Sequence, residues 1–231
     1  GDAGGLIQIA AGTQIISAGN DTSEINGLVA SGILVSTDTD PNNTIYVTYD
    51  GGAGVTTVEV GPRGPTSGWT GGGADDDWTD YDNWGGSLLP TSADTITLDG
   101  SDTAVLSAGD TGVTGSLYIQ GTGGGTADLT VQGTLTSDNL CKISSAAGQS
   151  SIVTIDGGTW NVQNYLYAGQ GGSAAITVTN GGVLNQTSSG YGLLISSQGT
   201  LDLIDGTIYT DRLRGDAGGL IQIAAGTQII S

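Results

Sequence analysis

A short pattern recurs along the second half of the chain at steps of 24, 23, 25 and 20 residues. Each copy has two apolar residues flanking one other residue, then a glycine, then a second short segment. The copies read "LTVQGTLT" from Leu129, "VTIDGGTWNV" from Val153, "ITVTNGGVLN" from Ile176, "LDLIDGTIYT" from Leu201 and "IQIAAGTQII" from Ile221. Third segments, such as "SLYIQ" and "YLYAG", lie between them. Three short strands per repeat predict a right-handed parallel β-helix, with glycine at the corners.

The alternation within each strand predicts which side chains fill the core. One face of such a strand is buried and the other is exposed to solvent. The residues expected inside are Leu129, Val131, Val153, Ile155, Ile176, Val178, Leu201, Leu203, Ile221 and Ile223. An antiparallel β-sandwich is the alternative, but it does not explain why glycine recurs at the same place. Composition agrees with an all-β fold, because the chain has no Met and its polar residues are mostly Thr, Ser, Asn and Asp.

The chain also repeats itself at its two ends. Residues 1–17, "GDAGGLIQIAAGTQIIS", are identical to residues 215–231, an offset of 214 residues. Three explanations stay open: a window cut from a tandem array, a filament whose unit was cut at an arbitrary point, or an engineered permutation. The first two imply a polymer.

The domain organisation follows from these repeats. Residues 25–40 predict a broad strand, and residues 44–60 predict a hairpin turning at 51–54. Residues 62–68 are rich in Pro and Gly and predict a linker. We therefore interpret 1–61 as the C-terminal part of one repeat, with its last β-helix turn and a terminal hairpin. Residues 69–231 then form a Trp-rich cap and the β-helix of the next repeat.

Charge and cysteine content limit the partners. The chain has 23 acidic and 4 basic residues, a net charge of −19. Such a surface repels nucleic acid and anionic membranes, so neither is an expected partner. No apolar run approaches the length of a membrane span. The single Cys141 excludes an intrachain disulfide, and in "NLCKIS" it is expected to face inward with Ile143. An interchain disulfide would require the other register.

Two clusters of oxygen ligands are candidate calcium sites. The denser one places five carboxylates in eight residues: Asp75, Asp76, Asp77, Asp80 and Asp82. Calcium binds six to eight oxygens and would relieve the repulsion between these charges. The second cluster, Asp38, Asp40 and Asn42, imitates the start of an EF-hand loop but lacks its later ligands. The alternatives are a solvated acidic loop and an ordinary turn.

Three of the four tryptophans, Trp69, Trp78 and Trp84, lie close together in the sequence. They predict a cap over the first turn of the β-helix, and a sugar-stacking platform is the alternative. Some β-helices degrade polysaccharides, and Asp156, Asp202 and Asp205 could supply paired carboxylates. The aspartates beside corner glycines are equally expected in turns, and the chain has no His. We therefore expect no enzymatic activity.

The segment "WTGGGADDDWTDYDNWGGSLLPTSADTITLDG" and the β-helical repeats after it resemble the repeat regions of bacterial surface proteins. These are the autotransporter-adhesin-like and PEP-CTERM-associated proteins with right-handed β-helices. The matching residues are Trp69, Thr70, Gly71, Trp78, Asn83, Trp84, Pro90, Asp94 and Thr95. The resemblance implies an extracellular or cell-surface structural protein, an adhesin or a matrix component. It carries over no catalytic residue.

Together these observations predict a structural repeat unit of an extracellular filament or surface stalk. Copies of the chain would assemble end to end through strand edges, with Trp69, Trp78 and Trp84 at one end. Leu220, Ile221 and Ile223 of the duplicated segment would lie at the other. A surface adhesin or carbohydrate-binding module is the second hypothesis, with extracellular polysaccharide as its partner. A polysaccharide-degrading enzyme is the third.

Overall fold

The computed structural model describes residues 6–10, 13–37, 43–50, 52–62, 68–85, 89–186, 190, 192–225 and 227–230. We call residues 6–62 the N-terminal module. It contains β1 (Ile7–Ile9), β2 (Gln14–Ala18), helix α1 (Thr22–Ala30), β3 (Leu34–Ser36), β4 (Asn43–Asp50) and β5 (Val55–Pro62). Strands β1 and β3 pair in parallel, and β2, β5 and β4 form an antiparallel sheet with β5 in the middle.

The N-terminal module has a hydrophobic core of its own. It consists of Ile9, Leu34, Ile45, Val47, Val58 and Val60, with the apolar face of α1 packed against it. The predicted hairpin is confirmed as β4 and β5. The predicted broad strand over 25–40 was wrong in its first half, because residues 25–30 belong to α1. Ile25, Leu28 and Val29 recur at helical spacing, and burying that face against the core offsets weak helix propensity.

After a 3-10 helix at Tyr81–Asn83, the chain forms three parallel sheets of six strands each. Sheet A contains β7 (Thr103–Leu106), β10 (Ala127–Val131), β13 (Ser150–Asp156), β16 (Ser173–Thr179), β19 (Gly199–Leu203) and β22 (Leu220–Ile223). Sheet B contains β8 (Thr111–Thr114), β11 (Thr134–Ser137), β14 (Thr159–Val162), β17 (Gly182–Gln186), β20 (Gly206–Thr210) and β23 (Gln228–Ile230). Sheet C contains β6 (Thr95–Asp99), β9 (Ser116–Gln120), β12 (Cys141–Ile143), β15 (Leu166–Ala168), β18 (Leu193–Ile195) and β21 (Leu213–Gly215).

Three consecutive strands, one from each sheet, form one turn of a right-handed β-helix. This confirms the predicted fold class. The predicted register is also observed, since Leu129, Val153, Ile176, Leu201 and Ile221 are aligned across sheet A. The interior is a continuous apolar core. Because each turn stacks directly on its neighbours, each aligned strand residue of one turn lies beside the same position of the next.

Candidate functional site

The three clustered tryptophans pack against one another at the start of the β-helix. Trp78 and Trp84 meet edge to face with ring centroids 4.8 Å apart, and Trp69 lies 5.0 Å from Trp84. All three are buried, and the indole N–H of Trp84 donates to the Trp78 carbonyl (2.7 Å). Since the rings cover each other, they present no broad exposed face on which a sugar could stack.

The backbone beside Trp78 extends sheet A beyond its first strand. The Trp78 N–H donates to the Val105 carbonyl (2.7 Å), and the Val105 N–H donates to the Asp76 carbonyl (2.8 Å). These bonds pair part of the outer edge of β7. The Trp78 indole lies over Gly112, where it fills the space that a side chain would take at the head of a buried column. The first turn is therefore covered by its own chain.

The acidic cluster supplies hydrogen-bond acceptors for the same loop. One carboxylate oxygen of Asp77 accepts from the backbone and hydroxyl of Thr79, both at 2.7 Å. Asp75 accepts from the Asp77 N–H, and Asp80 accepts from the Asp82 N–H. Within the described residues, no three acidic, Cys or His side chains form a group that could hold a metal ion. Calcium at this cluster stays a prediction, and Asp38, Asp40 and Asn42 lie outside the described residues.

The last turn lies at the other end of the β-helix, in strands β21, β22 and β23. Among the described residues, β22 and β23 are the outermost strands of sheets A and B. Leu220 is 47% exposed, Ile223 56% and Ile230 41%, whereas Ile221 and Ile229 are partly buried against the core. The predicted assembly residues Leu220, Ile221 and Ile223 all lie in β22. This end presents two strand edges and an apolar surface together.

The duplicated segment has different partners in its two copies. In the last turn, β22 and β23 stack in parallel on β19 and β20. In the N-terminal module, the same residues form β1 and β2 and pair with β3 and β5. The sequence predicted that both copies are strands, but it did not predict that one copy would bind the β-helix and the other a separate core.

A third surface, on the outward face of sheet C, was not predicted. Here Tyr118, Lys142, Tyr167, Leu194 and Arg214 are aligned in neighbouring strands. The Lys142 ammonium lies 6.0 Å from the Tyr118 ring centroid, and the Tyr165 and Tyr167 rings stack at 5.3 Å.

Tyr165 and Tyr167 line a shallow groove together with Arg212 and Arg214. Three of the four basic residues of the whole chain therefore belong to this face or its rim. The outward positions of the third segments in each repeat could have revealed it.

The aspartates considered for hydrolysis differ in their surroundings. Asp156 accepts hydrogen bonds from the side-chain amides of Asn180 and Gln132, which lower its pKa. A general acid for glycoside hydrolysis needs a raised pKa, so these bonds work against that role.

Cys141 is buried, faces inward as predicted, and has its pKa raised to about 12 by burial.

No protein-family model, curated protein or solved structure matches this chain. The fold belongs to the class of right-handed β-helices, preceded here by an N-terminal module whose described residues form one helix and five strands. Among the described residues, no helix is both long and apolar enough to cross a membrane.

Proposed function

We propose that this chain is a non-catalytic structural unit that assembles end to end into an extracellular filament or surface stalk. The observation that carries the proposal is the last turn, where β22 and β23 combine strand edges with exposed apolar side chains. Unpaired edges of this kind template pairing with another chain. A joint between two different ends of the molecule repeats without closing when its rotation does not close, and it then builds a fibre.

The two ends of the β-helix are unlike each other, which supports a head-to-tail arrangement. The first turn is covered by the Trp78 backbone and by the packed indoles. The last turn leaves Leu220, Ile223 and Ile230 accessible. Covering these side chains removes apolar area from water, at about 25 cal/mol per Å². Because the net charge is −19, fibres lying side by side would repel each other and stay dispersed. Calcium would counter this repulsion and bundle them.

Sedimentation velocity and electron microscopy of the purified chain test the assembly. We expect the average mass to increase with concentration, and Ile223→Lys to prevent this increase. The matched control is Ile152→Lys, which places the same charge at an exposed outward position in the middle of sheet A. Wild-type protein that stays monomeric at every concentration would contradict the proposal. Electron microscopy of the native source material, together with the mass of its polypeptide, would show whether the units are separate subunits or consecutive repeats of one chain.

A second candidate function rests on sheet C. We propose it as a binding face for an acidic extracellular polysaccharide, since Tyr118 and Tyr167 offer stacking surfaces on either side of Lys142, and Arg214 lies further along the same row. Cations paired with aromatic faces suit carboxylated sugars better than neutral ones.

Titration with polygalacturonate, and with dextran as the neutral control, tests this binding. The double variant Lys142→Ala/Arg214→Ala should lose affinity for polygalacturonate. Equal affinity of wild type and variant, or equal affinity for both polymers, would contradict the second candidate.

A further inference from the structure

We propose that residues 215–231 of one copy replace residues 1–17 in the N-terminal module of a second copy. The joint between units would then be a single β-helix turn shared by two chains. The second copy's residues 18–61 would cover the outer edge of that turn. This inference rests on the proposed end-to-end assembly and names the partner surface for it.

The backbone hydrogen bonds show that β3 follows β1 as one turn of the β-helix follows another. In sheet A, the Val178 carbonyl accepts from Ile204 N–H (3.0 Å) of the following turn. The Leu203 carbonyl likewise accepts from Ala224 N–H (2.8 Å).

The N-terminal module repeats this arrangement: the Ile9 carbonyl accepts from Thr37 N–H (2.9 Å). The Ile7 N–H donates to the Ile33 carbonyl (2.7 Å), just as the Ala174 N–H donates to Gln198 (3.1 Å). In both parts of the chain, a carbonyl accepts from the residue that follows its aligned partner in the next turn. An N–H donates to the carbonyl of the residue that precedes its aligned partner.

These bonds place the two sets of partners on opposite edges of the duplicated segment. Ile9 is the equivalent of Ile223, because the two copies are offset by 214 residues. In the first copy of the segment, the Ile9 backbone bonds to β3, the strand that follows it. In the second copy, Ala224, which comes directly after Ile223, bonds instead to β19 of the preceding turn. Successive residues of a parallel strand bond alternately to either side. One strand can therefore pair with β19 and β3 at the same time.

The registers of the two copies are compatible with such a shared strand. Leu201 is aligned with Ile221, whose equivalent Ile7 is aligned with Leu34. The combined sheet would place three apolar residues in one column. In sheet B, Ile208 is aligned with Ile229, whose equivalent Ile15 is aligned with Val58. Both columns continue the apolar core of the β-helix into the core of the N-terminal module.

The burial of the two copies is complementary. Ile9 is 2% exposed in the module, but its equivalent Ile223 is 56% exposed at the end of the β-helix. Conversely, Ile7 and Ile15 are exposed in the module, while their equivalents Ile221 and Ile229 pack partly against the β-helix core. Each copy lacks the contacts that the other copy has. Combining both sets of partners would bury all three positions.

The partner at the last turn is a second copy of the chain, because the N-terminal module of the same chain lies at the opposite end of the β-helix. Helix α1 contacts the 3-10 helix Tyr81–Asn83, beside the tryptophans that cover the first turn. The last turn lies beyond five further strands of each sheet. The exchange itself replaces the strands β1 and β2 by strands of identical sequence, so the pairings with β3 and β5 are restored. In addition, the apolar end of the β-helix is covered.

A reversible covalent lock tests the exchange. Gln14 and Glu59 are opposite each other in β2 and β5, with both side chains exposed and the Gln14 amide 3.4 Å from the Glu59 carboxylate. The variant Gln14→Cys/Glu59→Cys, oxidised while dilute, ties residues 1–17 to the module. The matched control is Thr48→Cys/Thr57→Cys, which joins β4 to β5 instead. Each is measured by sedimentation velocity over a concentration series, with and without reductant.

We expect the Gln14/Glu59 lock to keep the chain monomeric and reductant to restore assembly, while the Thr48/Thr57 control assembles throughout. A variant lacking residues 1–17 should assemble at least ten times more readily than wild type, because its module is vacant. If the locked chain assembles like its control, exchange is wrong but end-to-end assembly through intact ends stands. If removing residues 1–17 gives no gain, exchange is also wrong. If no form assembles, the proposed function fails with it.

Discussion

The indole nitrogen of Trp84 donates a 2.7 Å hydrogen bond to the backbone carbonyl of Trp78, six residues earlier in the chain. Both side chains are nearly inaccessible to solvent. The bond closes the loop of residues 79–83 between them and holds the Trp84 ring against the Trp78 backbone. The buried side chain of Asn83 holds the same loop, since its amide donates to the backbone carbonyls of Asp75 and Asp77, both at 2.8 Å.

Trp84→Phe removes the donor but keeps an aromatic ring. The Trp78 carbonyl is then left buried without its partner, which costs about 1–3 kcal/mol in the free energy of unfolding. Urea unfolding followed by circular dichroism measures this. Ile204→Ala, at an exposed position, serves as the control and should change stability by less than about 0.5 kcal/mol. Equal stabilities for Trp84→Phe and wild type would show that the bond is dispensable.

A pair of glycine substitutions tests the packing of Trp78. A Cβ on Gly112 would lie 2.9 Å from the Trp78 indole nitrogen and 3.1 Å from a Leu135 methyl. We expect Gly112→Ala to lower stability by about 1–3 kcal/mol through overpacking. Gly27→Ala, in α1 with nothing within 4 Å, should raise stability by about 0.5–1 kcal/mol. The same unfolding experiment gives both values, and a tolerated alanine at 112 would mean that Trp78 moves freely.

Two aspartates should change stability with pH in opposite directions. Burial raises the pKa of Asp128, so its folded form disfavours the charge, and stability is lost as pH rises through this pKa. Hydrogen bonds from Asn180 and Gln132 lower the pKa of Asp156, so its contribution is present above about pH 4 and is lost as pH falls through its folded pKa.

At pH 7 we therefore expect Asp128→Asn to raise Tm and Asp156→Asn to lower it. Both differences from wild type should shrink in acid, below about pH 4 for Asp128 and at still lower pH for Asp156. Calorimetry across this range measures them. Differences of the same sign at pH 7 would contradict the assignment for one of the two residues.

The thiol of Cys141 should be inert in the folded protein. It is fully buried with a pKa of about 12, so at pH 8 almost none is present as the reactive thiolate. Ellman's reagent should label no thiol in native protein and one per chain in guanidinium. Rapid labelling of the native chain would show that sheet C opens around β12.

The β-helix itself could be predicted from the sequence because its order is local and repetitive. Each strand alternates buried and exposed residues, the corner between sheets A and B carries glycine in every repeat, and the spacing of copies determines which residues stack. Ile221 and Ile223 were therefore correctly expected in a strand aligned with Leu201 and Leu203. Helix α1 was missed although its apolar spacing was visible, because its short, weakly helical sequence depends on the core beneath it.

Other features depended on tertiary structure. The alignment of Tyr118, Lys142, Tyr167 and Arg214 requires loops of unequal length to return each chain segment to the same register. The sequence predicted strands within both copies of the duplicated segment, which are β1 and β2 in the first copy and β22 and β23 in the second. It could not determine their partners, because strand pairing is set by whichever neighbouring edge is available. Folding alone gave one copy the β-helix and the other copy the N-terminal module.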